Sequence, residues 1–483
     1  MNNIMNEILN PKEVFEYFKD LSAIPHGSGN VKAVSDYCVE FAKSNGLEYR
    51  QDESYNVVIK KPATAGYENR PTVIIQGHLD MVSVKESDCD KDLLIEGLDL
   101  AVEDGYLYAK QTSLGADDGI AIAYAMAILA SDTIEHPAIE AMFTVDEEIG
   151  LLGATALDCS DIQGRVMLNI DSEEEGVFIA GCAGGATVQC ILPVERKEKE
   201  GIPVDISIDK LSGGHSGVEI ICQRANSNIL LGRLLYELKK NIKFRIVNVS
   251  GGEKDNAIAK FSNARILVNP DCIDKMKEVI EKFTATVKSE YSVTDKNLEI
   301  TFKTGESTSE NVYKKSSANK LITALMNMPN GIQKMSNDIQ GLVQTSLNLG
   351  ILRGYEDKVE MSYSVRSAVG SEKENLIDRL ICLTESLDGT VNVFGEYPQW
   401  EYQKDSPLRD TMIKVYKELY NAEPKIEIIH AGLECGVLAS KLEGLDCISF
   451  GPNIKDIHTT KEKLDLASVE RTWELILAVL KNL

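Results

Sequence analysis

Short apolar runs recur along the first part of the chain, at residues 72–75, 120–130, 141–145 and 166–170, with helix-compatible polar stretches between them. Runs of this kind bounded by turn residues suit strands buried on both faces, and their alternation with helical segments predicts an α/β layer fold. Ahead of them, Asn10, Pro11 and Glu13 supply an N-cap, a first-turn proline and an acid for a helix that Pro25 must end, with Val14, Phe15 and Phe18 on its apolar face. The pattern changes after Gly185: residues 187–192 and 204–208 read as strands, 219–240 as a long helix, and further strands are predicted near Phe244 and Ala264. The last hundred residues return to the first style, with a helix over 410–420, a buried strand over 447–450 and a closing helix over 468–480. An α+β segment therefore interrupts an α/β domain. The expected division is 1–186 with 388–483 for the α/β domain and 187–387 for the insert.

A chain of 483 residues exceeds what one hydrophobic core organises, which agrees with two domains. The 43% hydrophobic and 26% charged content is that of a folded globular protein. The formal net charge of -24 repels phosphate backbones and anionic lipid, and no Lys/Arg-rich run offsets it, so nucleic acid is excluded as a partner. The N-terminus begins with two asparagines and an isolated apolar pair rather than a basic stretch leading into an apolar one. With no apolar run of about 18 residues, no membrane partner is expected and a cytoplasmic location is. The ten cysteines include no C-x-x-C pair and read as reduced, mostly buried residues.

Candidate chemistry narrows the picture. Two of the six histidines stand just beyond predicted strands among acids: His78 in Gln-Gly-His-Leu-Asp-Met, and His458 in Gly-Pro-Asn-Ile-Lys-Asp-Ile-His-Thr. Open α/β sheets bind ligands at the carboxyl ends of their strands, and the chain puts His78 with Asp80, Glu147 with Glu148, and Asp171 at such ends. Leu-Gly-Ala-Asp-Asp-Gly places Asp117 and Asp118 just before a helix, whose N-terminus favours negative charge. Carboxylates converging on one crevice cannot all stay ionised without a counter-charge, and divalent cations would supply it. Imidazole and carboxylate without thiolate suit catalytic Zn²⁺ and tolerate Mn²⁺ or Co²⁺. Each motif alone is an ordinary turn or capped helix; their joint order and spacing is what distinguishes the chain.

His78-Leu-Asp80, Gly115-Ala116-Asp117, Asp146-Glu147-Glu148-Ile149-Gly150, Asp171 and His458 together resemble the di-zinc aminopeptidase and aminoacylase clan, and within it the cytosolic non-specific dipeptidases. The resemblance extends over essentially the whole chain, including Ser212-Gly213-Gly214-His215-Ser216-Gly217 in the insert. It implies a catalytic domain with a central mixed sheet flanked by helices and an inserted α+β lid. It further implies that two divalent metal ions are held, one by His78 and Asp171, the other by Glu148 and His458, with Asp117 bridging. Asp80 would orient His78, Glu147 would be the general base, and Asp118 has no assigned role.

On the insert, the resemblance implies that His215 stabilises the oxyanion, in the simplest case for a partner subunit of a homodimer. It also implies that Asn256 and Arg366 hold substrate, Arg366 being suited to bidentate capture of a C-terminal carboxylate. Glu434, in His-Ala-Gly-Leu-Glu, is the candidate acid for the substrate amine. The activity implied is metal-dependent hydrolysis of dipeptides. An aminoacylase or an aminotripeptidase would share the metal motifs, and a non-catalytic binding protein on the same fold would have no use for the complete set.

Overall fold

The computed structural model describes residues 9–483 and divides into two compact units. The first comprises the chain up to Cys182, Tyr402–Ile428 and Leu433–Leu483; the second comprises Ala183–Glu401 and Ile429–Gly432. The reading of the N-terminal Asn-Asn segment lies outside the described residues.

The first unit is built on an eight-stranded sheet in the order Glu48–Gln51, Val57–Lys61, Ile139–Thr144, Val73–His78, Val166–Asn169, Asp446–Ser449, Val177–Cys182, Lys425–Ile429. The four middle strands, from Ile139–Thr144 to Asp446–Ser449, run parallel, so their carboxyl ends share one edge. Their near-continuous apolar runs follow from burial on both faces. The run at 120–130 is not a strand: it belongs to the helix Ala116–Ala130, which is buried along almost its whole length. Helix Lys12–Ser22 packs on it, and Tyr124 stacks on Trp473 of the closing helix Leu466–Asn482 while donating to the Val469 carbonyl at 2.9 Å. A burial this complete erases the polar face that would have marked the period. A second, four-stranded sheet joins Ile454–Lys455, Lys463–Asp465, Tyr106–Ala109 and Leu100–Glu103, and carries the loop that holds His458.

The second unit centres on a ten-stranded sheet, antiparallel throughout its paired strands, with the helices Ser227–Asn241, Ile273–Glu290, Lys315–Asn327 and Gly370–Ser386 contributing to its core. Two expectations shift here. The helix expected from 219 starts at Ser227, because the Asn226 side chain accepts from the Asn228 and Ile229 N–H groups and caps it there; only a short 3-10 turn, Ile220–Cys222, precedes it. The return to the first unit comes after Glu401 rather than near 388, because strand Thr390–Tyr397 pairs with Gly184–Pro193 in the second unit's sheet. The segment Ile429–Gly432 also belongs to the second unit.

Among the described residues no helix is long and apolar enough to cross a membrane. None of the cysteines is in a disulfide, and six of the ten are buried.

Candidate metal centre

The carboxyl edge of the parallel strands gathers the candidate ligands. His78 ends its strand, the Asp146–Gly150 turn follows the neighbouring strand Ile139–Thr144, and Asp171 follows Val166–Asn169 on the other side. The turn is local in origin: Asp146 and Leu151 adopt left-handed φ values of 53° and 59°, Gly150 takes 122°, and the Gly150 N–H returns to the Glu147 carbonyl at 3.0 Å. Its consequence is that Glu147 and Glu148 project from one tight bend.

Asp117 lies between the two histidines. The Nε2 atoms of His78 and His458 each stand 3.1 Å from a different oxygen of the Asp117 carboxylate. His78 Nε2 is also 3.5 Å from Asp171, and His458 Nε2 is 2.8 Å from Glu148 Oε1. That Glu148 oxygen is buried and has no hydrogen-bond partner, so the His458 proton serves Asp117 and leaves a carboxylate lone pair unanswered. Among the described residues only histidines pair with these carboxylates. Three clusters could each hold a cation: His78, Asp118 and Asp171; His78, Glu147 and Glu148; Asp117, Glu148 and His458. An orphaned buried carboxylate oxygen among oxygen and imidazole donors is a set that fits divalent cations.

The electrostatics follow from this crowding. His78 is 1% exposed, and burial works against its charge, yet hydrogen bonds with Asp117, Asp171 and Asp80 raise it well above the usual histidine range. Asp117 and Glu148 push His458 up to about 10. Burial raises Asp171 to about 7 and holds Glu147 well above the usual carboxylate range, with the charges of Asp171, Glu434 and Glu148 adding to the effect on Glu147. Burial works against both Asp117 and Asp80, yet both go down: two histidines outweigh it at Asp117, and His78 with Ser28 and the Glu147 N–H at Asp80.

Two supporting acids make contacts that the sequence does not display. His78 Nδ1 meets the Asp80 backbone carbonyl at 2.9 Å, with the Asp80 carboxylate more distant at 3.5 Å. The Asp80 carboxylate instead accepts from the Glu147 N–H at 3.0 Å, the Glu148 N–H at 3.4 Å and the Ser28 hydroxyl at 2.8 Å. It therefore fastens the Glu147-Glu148 bend as well as facing the histidine. Glu434 is fully buried, with one oxygen accepting from both Gln76 Nε2 and Thr144 Oγ1 at 2.6 Å. This oxygen braces the strand ends, while the other oxygen, Oε1, is buried and has no hydrogen-bond partner. Asp118 gains a role: its carboxylate accepts the His78 N–H at 3.1 Å.

The second unit gathers the other candidates. His215 Nδ1 accepts from the Gly217 and Val218 N–H groups at 3.2 and 3.3 Å, so a neutral ring carries its proton on Nε2. The His215 loop bridges to Ala257, beside the exposed Asn256, whose carbonyl accepts the Ser216 N–H at 2.8 Å. Arg366 is not a solvated strand arginine: it is 8% exposed, donates to the Tyr397 hydroxyl at 2.5 Å, and its Nε has no partner. His430, missed as a site candidate, contacts Ser346 at 2.7 Å, and burial together with Arg366 and His215 lowers it to about 3. Glu462 was also missed, since Lys-Glu-Lys reads as an exposed charged turn, and no signal in a single sequence separates it from one.

The profile of peptidase family M20/M25/M40 matches residues 74–482. The chain belongs to this family. Within the M20/M25/M40 peptidases it is 34% identical over 480 residues to the cytosol non-specific dipeptidase of Escherichia coli K12, covering 98% of both chains. It is similar in structure to the aminoacylhistidine dipeptidase from Vibrio alginolyticus, with a TM-score of 0.92 and 33% identity over 99% of this chain and 97% of that one. It shares its fold with the aminopeptidase PepT from Bacillus cereus, at a TM-score of 0.56 and 16% identity over 98% of each chain.

Proposed function

We propose that this M20/M25/M40 peptidase hydrolyses free dipeptides, with broad side-chain tolerance, at a centre of two divalent metal ions. The observation that carries the reading is the division of one carboxylate, Asp117, between His78 and His458. The dipeptidase names of the Escherichia coli and Vibrio alginolyticus relatives support the substrate class. A cytosolic location is part of the same reading. So is a homodimer, in which His215 of one copy would serve the centre of the other.

His78 and Asp171 would hold one cation, Glu148 and His458 the second, and Asp117 both. Bound there, divalent cations, zinc by preference with Mn²⁺ or Co²⁺ as alternatives, supply Lewis-acid polarisation of the scissile carbonyl and acidify the attacking water. Glu147 accepts that water's proton as the hydroxyl adds to the carbonyl carbon, and delivers it to the departing nitrogen as the C–N bond breaks. Burial raises its proton affinity in the metal-free protein, and neighbouring cations would return it to the carboxylate form that a proton acceptor needs. Asp80 keeps this carboxyl in place through the backbone of the bend. His215 donates from Nε2 to the developing oxyanion, Arg366 captures the substrate's terminal carboxylate, and Asn256 assists in holding the chain.

Hydrolysis of a panel of free dipeptides, N-acetyl amino acids and a tripeptide by the wild type and E147Q tests the reading. Free dipeptides are expected to turn over, and E147Q to lose about 10²–10⁴-fold in kcat while still binding metal. Turnover confined to N-acetyl amino acids would make the chain an aminoacylase, and turnover confined to the tripeptide an aminotripeptidase.

A further inference from the structure

The turn that presents Asp117 is held from outside its own segment. Gly115, at a left-handed φ of 66°, and Ala116 enter the helix Ala116–Ala130 through a bend whose N–H groups converge. A single side chain fills that convergence: Glu462 Oε2 accepts from Leu114 and Gly115 at 2.8 and 3.1 Å, and Oε1 from Ala116 at 2.9 Å, with the Asp117 N–H at 3.5 Å. Glu462 is 3% exposed. Burying a carboxylate among other acids is costly, and these backbone donors offset the cost only in this one geometry.

Glu462 also sits on the loop that carries His458. That loop is a chain of turns: the Thr459 hydroxyl donates to the Asp456 carbonyl at 2.6 Å, the Lys461 N–H to the Thr459 hydroxyl at 3.1 Å, and the Glu462 N–H to the Thr459 carbonyl at 3.3 Å. Strand Lys463–Asp465 follows at once and pairs with Tyr106–Ala109. His458 itself has a left-handed φ of 61°, a conformation that needs its surroundings to hold it. One carboxylate thus ties the loop bearing one ligand to the turn bearing another, 345 residues or more apart in sequence.

We propose that Glu462 is a positioning residue for the metal centre: by clamping the Leu114–Asp117 turn to the His458 loop, it sets the spacing between Asp117 and His458 and thereby the affinity for the cation they share. This rests on the two-metal reading. Glu462 does not touch substrate, and both its oxygens are committed to backbone donors. Glutamine in its place puts an NH₂ group against N–H groups and loses two of the acceptor contacts.

The test is titration of chelated, full-length protein with Zn²⁺ against a chromophoric chelator, and with Co²⁺ followed by its visible absorption, for wild type, E462Q, E462D and the neighbouring control K461A. The expected result is two equivalents bound by wild type and K461A, at least one equivalent bound 10–100-fold more weakly by E462Q and E462D, and an altered Co²⁺ spectrum in both variants. Variants that titrate like wild type overturn the proposal and leave the two-metal reading standing. A wild type that binds no cation overturns both. Failure of E462Q and E462D alike to fold as metal-free proteins, seen by circular dichroism, assigns Glu462 to the fold and overturns the proposal as well.

Discussion

Without cations, His458 is held as an imidazolium by Asp117 and Glu148, and His78 by Asp117, Asp171 and Asp80 in spite of its burial. A metal ligand must be a neutral imidazole, so protons and cations compete for the same two rings. At pH 7 cation binding is expected to release about two protons, and affinity to rise with pH by up to about 100-fold per unit until the rings deprotonate unaided. Calorimetric titration in buffers of different ionisation enthalpy measures the proton count, and a count of zero would contradict this arrangement. In the chelated protein the sign reverses for stability: a histidine raised above its unfolded value stabilises fully below about pH 6.5, and that contribution is lost as pH rises towards about 10. At this scale the chain was unusually legible. Histidines and acids at strand ends stood out as a group, the resemblance to the di-zinc clan is what singled out His78, Asp117, Glu148, Asp171 and His458 among them, and the structure brings these five into contact. Glu462 could not be picked out, because its partners are backbone N–H groups, which every sequence has and none displays. The burial of Glu434 was hidden for a related reason, since a carboxylate's burial depends on the packing of elements remote from it in sequence.

The strand Val73–His78 and the helix Ala116–Ala130 meet at a point where no side chain fits. A Cβ on Gly77 would lie 2.5 Å from Asp118 Oδ2 and 2.6 Å from the Ala121 Cβ. The helix start, and with it Asp117, can close on the strand end only because residue 77 is glycine. G77A is therefore expected to destabilise the protein by about 1–3 kcal/mol through overpacking and to weaken cation binding together with it. Chelator competition on the folded fraction checks this; unchanged affinity would show that the helix start and the ligand spacing are independent. Elements with a polar face were predicted near their observed bounds, as with the closing helix Leu466–Asn482. The run at 120–130 was read both as a buried strand and, behind Asp117 and Asp118, as a helix, because its apolar surface is continuous and only length separates such a run from a buried strand. The cap that starts Ser227–Asn241 was overlooked because an asparagine eight residues inside an expected helix reads as a tolerated polar position until its side chain is seen to turn back.

For the whole molecule, the two-part organisation was visible as a change of periodicity, whereas the return point was not, since a strand that pairs with a partner some 200 residues earlier carries no mark of which sheet it will join. The second unit has its own acid sensitivity. His430 is lowered to about 3 by burial and by Arg366 and His215, so the unfolded chain takes up a proton below about pH 6.5 that the folded unit refuses. Stability consequently falls as pH falls, by about 1.4 kcal/mol per unit down to about pH 3. H430Q cannot titrate and is expected to lose about 2 kcal/mol less than wild type between pH 7 and pH 5 in urea unfolding of the chelated protein; equal losses would contradict the burial argument.

The proposed hydrolysis needs the cations of this centre. The direct measurement is to strip the protein with a chelator, verify removal by elemental analysis, and return Zn²⁺, Mn²⁺ or Co²⁺ in fractions of an equivalent while following hydrolysis of a free dipeptide. The expected result is silence after stripping and recovery that is complete at two equivalents. Full dipeptide hydrolysis by verified metal-free protein would contradict a metal-dependent centre.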